Sequence, residues 1–173
     1  MKKYNVAVVG ATGVVGKEII KILEERKFPV NKLIPLASER SLGTTTLFHG
    51  EHIEIQVLEE SSFIDVDFAL FSAGGDISKD FVPKAVQYGA IAVDNTSHFR
   101  MDKNVPLVVP EVNPEALKKH NGIIANPNCS TAQMVMALKP LHDYATIERV
   151  VVSTYQAVSG TGKAAIEELE NQS

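Results

Sequence analysis

Apolar residues along this chain follow two different spacings. Residues 5–9 and 68–72 are short, nearly continuous apolar runs, which predict strands buried on both faces. Residues 14–26 instead place Val15, Ile19, Ile22 and Leu23 at helical spacing. Because strands and helices alternate in this way, we predict an α/β fold with a Rossmann-like, doubly wound and mostly parallel sheet.

The same patterns predict the remaining elements. Residues 32–37 form a strand that Pro35 weakens as a central strand, and residues 44–58 alternate around His49 and Gly50 like a hairpin. Further strands are predicted at residues 91–94, 107–109, 122–125 and 149–155, and further helices at 77–88, 129–142 and 161–170. No element follows the last helix, so we expect the protein to continue beyond this sequence.

Composition and charge exclude several classes of protein. The chain has 173 residues, 45% of them hydrophobic, and a net charge of −4, which is a globular composition for one domain or for one domain and part of another. An acidic balance gives no electrostatic support for a nucleic-acid or anionic-membrane partner. The N-terminal apolar stretch is broken by glycines and runs into Lys17 and Glu18, unlike a secretory signal. No run reaches the roughly 18 apolar residues of a membrane span, and we expect a cytoplasmic protein.

A glycine-rich turn follows the first strand and opens the first helix. Gly10, Gly13 and Gly16 are spaced GxxGxxG, which departs from the commoner GxGxxG. Glycines allow backbone amides to approach a pyrophosphate, and the helix N-terminus adds partial positive charge. The alternative is an ordinary glycine turn, but the flanking strand and helix favour nucleotide binding.

The end of the second strand bears on the choice of cofactor. Ser38, Arg40 and Ser41 can bind the 2′-phosphate of NADP, whereas Glu39 could bind the ribose 2′-hydroxyl of NAD. We expect NADP, since Glu39 is as easily a solvated loop charge.

The single cysteine, Cys129, follows Asn128 at a predicted strand-to-helix turn. One cysteine cannot form an internal disulfide, and no metal site is expected. A helix N-terminus stabilises a thiolate, and Asn128 can cap the helix or donate to an oxyanion. A buried structural cysteine is the alternative. A thiol on a nicotinamide-binding fold predicts aldehyde oxidation through a thioester.

Six segments resemble aspartate-semialdehyde dehydrogenases of the bacterial type, and together they extend over the whole chain. They are VAVVGATG at 6–13, FSAGG at 71–75, DNTSHFR at 94–100, VVPEVN at 108–113, NPNCST at 126–131 and STYQAVSG at 153–160. The resemblance implies reversible conversion of L-aspartate 4-semialdehyde, phosphate and NADP to 4-aspartyl phosphate and NADPH. It also implies a place on the route to lysine, through diaminopimelate, and to threonine and methionine.

By this resemblance Cys129 is the acyl-thioester nucleophile, Gln156 orients the substrate and Arg100 holds the phosphate or the phosphorylated substrate. Without it, Arg100 is a solvated surface arginine and Gln156 a strand-end amide. The resemblance assigns the cofactor to Thr12, Gly13, Val14, Val15, Arg40, Ser41, Ser159 and Gly160. It divides the chain into an NADP-binding domain at 1–127 and the start of an α+β catalytic and dimerisation domain at 128–173. It further implies a homodimer, with dimers or tetramers among full-length members.

Members of this family are about twice as long, so the general-base histidine and other substrate ligands are expected outside this sequence. The five histidines present, His49, His52, His98, His120 and His142, are expected to be ordinary residues. We therefore expect no turnover from this chain alone. Two alternatives stay open: an enzyme resembling N-acetyl-glutamyl-phosphate reductase, and a nucleotide-binding module without catalysis.

Overall fold

The computed structural model describes residues 2–173. Within them the strands are β1 (Tyr4–Val9), β2 (Val30–Ala37), β3 (Thr45–Phe48), β4 (Glu51–Glu54), β5 (Gln56–Val57), β6 (Phe68–Phe71), β7 (Ile91–Asp94) and β8 (Ile123–Ala125). The α-helices are α1 (Val14–Glu25), α2 (Gly75–Gln87), α3 (Cys129–Tyr144) and α4 (Lys163–Gln172), and short 3₁₀ helices lie at Glu39–Ser41, Glu60–Phe63, Pro114–Lys119 and Val158–Thr161. None of the described helices is both long enough and apolar enough to cross a membrane.

The main sheet has the order β5-β2-β1-β6-β7-β8, and every neighbouring pair in it is parallel. This confirms the predicted Rossmann-like architecture. The chain proceeds from β1 to β2 on one side and later returns to β6 on the other side of β1, so the strand order reverses between β1 and β6. In open α/β sheets ligands bind at the carboxyl ends of the strands at this reversal.

Both faces of the sheet bury apolar side chains, as the continuous strand patterns predicted. Val6 and Val8 pack with Ile20 of α1 on one face. Ala7 and Val9 belong to a second cluster on the other face, together with Val82 of α2. Alternate residues of β1 therefore serve two separate cores, and all four are fully buried.

The predicted hairpin is present as β3 and β4, which pair antiparallel. His49 and Gly50 join them with φ angles of 52° and 80°, the left-handed conformation that a two-residue hairpin turn of type I′ requires.

Pro35 lies inside β2, which pairs with strands on both sides. The amide of Gly10 donates to Leu36 O, and the amide of Leu58 donates to Ala37 O on the opposite side of the strand. By this alternation, the nitrogen of Pro35 faces away from β1. The short pairing with β5 on that side begins only at Leu36, so the missing N–H costs the sheet no hydrogen bond.

The strand predicted at residues 107–109 is wrong. Only Leu107 forms a bridge, to Ala125, and the hydrogen bonds here join Val108 N to Ala125 O and Ala125 N to Pro106 O. Pro106 and Pro110 flank the segment and lack amide donors, which leaves too short a stretch for a ladder.

The strand predicted at residues 149–155 is also wrong, because this segment forms no regular secondary structure. Val150, Val151, Val152 and Tyr155 are exposed, Tyr155 completely. An apolar run becomes a strand only where a neighbouring strand can pair with it, and no such neighbour is found within residues 2–173.

Candidate functional site

The glycine-rich turn connects β1 to α1 through very close backbone contacts. Gly10 has φ 88°, and the amide of Gly13 donates to Gly10 O at 3.0 Å. A Cβ added to Gly16 would lie 2.1 Å from Gly10 O, so no other residue fits there without displacing the backbone. Gly13 precedes α1 and gives it no side-chain cap. The first amides of α1 are thus available to an anion.

A second turn of the same kind joins β6 to α2. Gly74 has φ 101° and is followed by Gly75, the first residue of α2, again without a side-chain cap. These two glycines belong to a segment that carries the family resemblance, but they were not predicted as binding residues. The sequence contains a signal for them, because a glycine pair between a buried strand and a helix is the same pattern as in the first turn.

Both turns open onto a cleft of about 560 Å³ at the carboxyl edge of the sheet. The start of α4, at Gly162 and Lys163, lines the same cleft. Its charged lining residues are all cationic, although the chain as a whole is acidic: they are Lys17, Arg100 and Lys163. The predicted residues that line the cleft are Thr12, Gly13, Val14, Val15, Arg100, Ser159 and Gly160. This combination of helix N-termini and positive charge suits a phosphate-bearing ligand.

The segment after β2 forms a neighbouring pocket of about 430 Å³. Gly10, Ser38 and Arg40 line it, and so does Glu39. Its apolar wall was not predicted and is formed by Leu58, Ala73, Ile77 and Phe81 together with other residues. A pocket with apolar walls and polar groups at one side suits a base and its ribose.

Ser41 lies outside the lining of this pocket, but its hydroxyl is 3.3 Å from the hydroxyl of Thr12 in the glycine-rich turn. The predicted 2′-phosphate and pyrophosphate residues are therefore adjacent. Glu39 and Arg40 share one pocket wall, so the geometry supports a dinucleotide without deciding between NAD and NADP. The residues present fit a dinucleotide, because the uncapped start of α1 and the cationic cleft suit its phosphates and the neighbouring pocket suits a base and its ribose. A Cβ at Gly10 would meet the backbone of Ser72 and Ala73 at 3.0 Å, so the two turns approach this closely only because residue 10 is glycine.

Cys129 is the first residue of α3 and its thiol is exposed. Asn128 caps the helix, with its Oδ1 accepting from the Ser130 amide at 3.1 Å. The same oxygen accepts from Gln156 Nε2 at 3.3 Å, and the Cys129 thiol lies 3.9 Å from it. The alternative of a buried structural cysteine is therefore wrong. The structure brings together the three residues predicted to be catalytic.

Cys129 and Gln156 line a further pocket of about 460 Å³, and no histidine lines it in the described part of the chain. Gln133, one turn along α3, lines it as well and was not predicted. Ser159 and Gly160 line both this pocket and the cationic cleft, so the two spaces are contiguous at the 3₁₀ helix that contains them. Arg100 lines the cleft and not the thiol pocket.

Comparison with known proteins identifies two matching family models. The model described as "Semialdehyde dehydrogenase, NAD binding domain" matches residues 5–120, and the one described as "Semialdehyde dehydrogenase, dimerisation domain" matches residues 138–173. The predicted domain boundary after residue 127 falls in the interval between them and stays a prediction.

Individual relatives agree with these family models. The chain is 59% identical over 172 residues to an aspartate-semialdehyde dehydrogenase of Aquifex aeolicus, with 98% of this chain and 51% of that protein aligned. The crystal structure of aspartate semialdehyde dehydrogenase II from Vibrio cholerae complexed with ASA is 53% identical, with a TM-score of 0.96, covering 99% of this chain and 52% of that one.

A more distant similarity is to the Candida albicans aspartate semialdehyde dehydrogenase with NADP, at 30% identity and a TM-score of 0.69 over 83% of this chain and 48% of that one. This chain spans about half the length of the curated relatives it matches. Because the nucleotide-binding family model alone covers more than half of it, the chain belongs to the semialdehyde dehydrogenase family.

Proposed function

We propose that this chain is the cofactor-binding and nucleophile-bearing part of an NADP-dependent aspartate-semialdehyde dehydrogenase. The enzyme would interconvert L-aspartate 4-semialdehyde, phosphate and NADP with 4-aspartyl phosphate and NADPH in amino-acid biosynthesis. The observation that carries the proposal is the contact of Asn128 with both Cys129 and Gln156 at the start of α3, beside a pocket contiguous with the cationic cleft. High identity to relatives named for this activity supports the choice of substrate.

In the proposed reaction the Cys129 thiol loses its proton, Sγ bonds to the aldehyde carbon, and a proton adds to the aldehyde oxygen to give a thiohemiacetal. NADP, when bound, supplies the acceptor for the hydride that leaves this carbon. The hydroxyl proton is released to solvent as the hydride leaves, the carbonyl forms again, and Cys129 then carries an acyl thioester. Phosphate held by Arg100 attacks the thioester carbonyl, the acyl phosphate forms and the Cys129 thiolate is released.

Asn128 is suited to stabilise charge on the substrate oxygen. Its Oδ1 is occupied by Ser130 and Gln156, whereas its Nδ2 takes part in no hydrogen bond within residues 2–173. A fixed amide donor next to a nucleophile is the arrangement expected of an oxyanion hole. Gln156, held by its contact with Asn128, would orient the substrate above the thiol.

The cofactor would occupy the cleft and the neighbouring pocket together. The uncapped start of α1 would bind the pyrophosphate, and Arg40 with Ser38 and Ser41 would bind the 2′-phosphate. Ser159 and Gly160 would lie beside the nicotinamide, where the cleft meets the thiol pocket. We infer NADP from Arg40, while Glu39 in the same wall makes NAD the competing cofactor.

The test is a single-turnover experiment on the 173-residue chain, because no histidine of the described residues lines the pocket around Cys129 to act as a general base. The chain is mixed with NADP and L-aspartate 4-semialdehyde without phosphate. We expect at most one equivalent of NADPH and an acyl adduct on Cys129 by mass spectrometry. Cys129→Ser is the matched control, which should bind NADP and form neither product.

Other outcomes separate the alternatives. Reaction with N-acetyl-glutamate 5-semialdehyde in place of the aspartate compound would indicate an N-acetyl-glutamyl-phosphate reductase. Binding of NADP with no Cys129 adduct from either aldehyde would indicate a nucleotide-binding module without catalysis. The match of residues 138–173 to a dimerisation domain supports a homodimer as the assembled form.

A further inference from the structure

The Arg100 guanidinium is oriented by main-chain carbonyls and not by a carboxylate. Its Nε donates to Asn126 O at 2.9 Å, and Nη2 donates to Asn95 O at 3.0 Å. None of the ion pairs found within residues 2–173 includes this half-buried arginine. The positive charge is therefore fixed in direction but not neutralised, and Nη1 is left for an anion in the cleft.

The two residues that supply these carbonyls also bind each other through their side chains. Asn126 Nδ2 donates to Asn95 Oδ1 at 2.7 Å, in a part-buried contact. Their backbones are fixed as well, since the Asn95 amide donates to Phe71 O and the Asn126 amide donates to Asp94 O. Both residues thus continue the hydrogen-bond ladder of the sheet by one position beyond β7 and β8.

The position of Asn126 connects this arrangement to the nucleophile. Pro127 and the helix cap Asn128 are the only residues between Asn126 and Cys129. A change in the separation of the two strand ends would move the Arg100 carbonyl ligands and the start of α3 together. The hydrogen bond between the Asn95 and Asn126 side chains joins the two strand ends at this point, in addition to the backbone hydrogen bonds.

We propose that Asn95 and Asn126 are a positioning pair, which directs the Arg100 guanidinium into the cleft and holds it in register with the helix that begins at Cys129. The inference rests on the proposed function in one respect, namely that the anion bound by Arg100 is phosphate. Asn95 also lines the cleft, but the role proposed for both asparagines is to position Arg100 and not to contact substrate. Their effect is exerted through the carbonyls that Arg100 contacts.

The first test observes Arg100 without any ligand. In ¹H–¹⁵N spectra of the 173-residue chain, the Nε–H of Arg100 is assigned from its loss in Arg100→Lys. We expect Asn95→Ala and Asn126→Ala each to shift this signal and to speed its exchange with water at least threefold. If the residues act as a pair, the double variant changes exchange no more than the larger single effect. An Arg100 signal unchanged in both single variants overturns the proposal.

A hydrogen bond between two asparagine side chains at the other end of the sheet provides a control for the general effect of losing such a contact. Asn31 Nδ2 donates to Asn5 Oδ1 at 2.9 Å, far from the cleft. Asn31→Ala should leave the Arg100 signal unchanged. If it moves the signal as much as Asn95→Ala does, the effect is a general loosening of the sheet and the proposal is wrong.

The second test uses inorganic phosphate as the probe. Arg100→Lys should weaken phosphate binding about tenfold, and each asparagine variant about three- to tenfold, on the scale of a lost hydrogen bond. If Arg100→Lys has no effect while the asparagine variants still move the Arg100 signal, the phosphate role in the proposed function fails and the positioning pair stands. If phosphate binding needs Arg100 but neither asparagine, with unchanged signals, only the pair is refuted.

Discussion

Replacing Gly16 by alanine tests whether the glycine-rich turn depends on contact between α1 and the preceding backbone. The added Cβ would lie 2.1 Å from Gly10 O, 2.7 Å from Gly10 C and 2.9 Å from Ala11 Cα. All three are backbone atoms, so no side chain can rotate away. The start of α1 must then move by roughly 1 Å or more to restore ordinary van der Waals separations.

This movement would disturb the core beneath α1, where Ile20 is buried against Val6 and Val8. Overpacking of this kind typically costs about 1–3 kcal/mol, and contact with rigid backbone places Gly16→Ala near the upper end. Alanine regains about 1 kcal/mol through its higher helix propensity. The expected loss in the free energy of unfolding is therefore about 2 kcal/mol, or a Tm lower by roughly 4–8 °C for a chain of this size.

Gly75→Ala is the matched control, because Gly75 also lies in the first turn of a helix beside the cleft. Its added Cβ would meet only Ser97 Oγ at 3.9 Å and His98 Cβ at 4.0 Å, which are ordinary contacts. We expect its Tm to be unchanged or slightly higher. Thermal unfolding followed by circular dichroism measures both variants. If Gly16→Ala unfolded at the same temperature as Gly75→Ala, α1 would not be in close contact with the turn and our account of the cleft would be wrong.

Three further predictions concern cofactor, thiol and surface. Arg40→Ala should weaken NADP binding about tenfold or more, because a charge-assisted hydrogen bond to the 2′-phosphate is lost. NAD binding, measured by the same calorimetry, should change by less than about twofold. Equal losses for both cofactors would exclude a 2′-phosphate contact. Asn128→Ala should slow alkylation of Cys129 by iodoacetamide near neutral pH about threefold, because the helix cap is lost, and an unchanged rate would contradict this. The chain should self-associate at micromolar concentration in sedimentation, because apolar residues such as Val151, which is 87% exposed, lie on its surface. Val151→Lys should weaken this association, whereas the control Leu47→Lys should leave it unchanged, since Leu47, 56% exposed, lies in the distant hairpin.

The parallel sheet could be predicted because its strands bury both faces. A strand such as β1 has no polar alternation, and each of its central residues is fully buried in the structure. The glycine-rich turn could be predicted for a related reason, since its constraints act between residues that are close in sequence. Gly10 and Gly16 restrict each other directly.

The two wrong strand predictions concern apolar runs that form no ladder with a neighbouring strand within residues 2–173. Residues 107–109 and 149–155 have the composition of strands, but pairing depends on which backbone lies beside them. In the first case Pro106 and Pro110 limit the pairing to one bridge, and in the second Tyr155 is fully exposed. The two prolines are visible in the sequence and could have corrected the first prediction, whereas local pattern cannot show that residues 149–155 lack a partner strand in the part of the chain that the structure describes.

The sequence predicted which residues carry the chemistry of the site but not which of them are in contact. Cys129, Asn128 and Gln156 were all predicted, but Asn128 and Gln156 are 28 positions apart, so the sequence does not reveal their contact. Asn95 and Asn126 were not predicted, because an asparagine pair separated by 31 positions leaves no periodic signal. Only the fold, by ending β7 and β8 side by side, makes these two residues neighbours.

The cationic cleft is lined from both sides of the boundary predicted after residue 127. Lys163 and the uncapped start of α4 come from the segment that matches the dimerisation domain, yet they line the same space as Lys17 and the start of α1. Lys163 also forms an ion pair with Glu167 of α4 at 3.1 Å, whereas Lys17 and Arg100 take part in none of the ion pairs found within residues 2–173. A polyanion in the cleft would contact groups from both segments, and because the segment around Ser159 and Gly160 also lines the thiol pocket, cofactor binding and the environment of Cys129 are expected to be coupled.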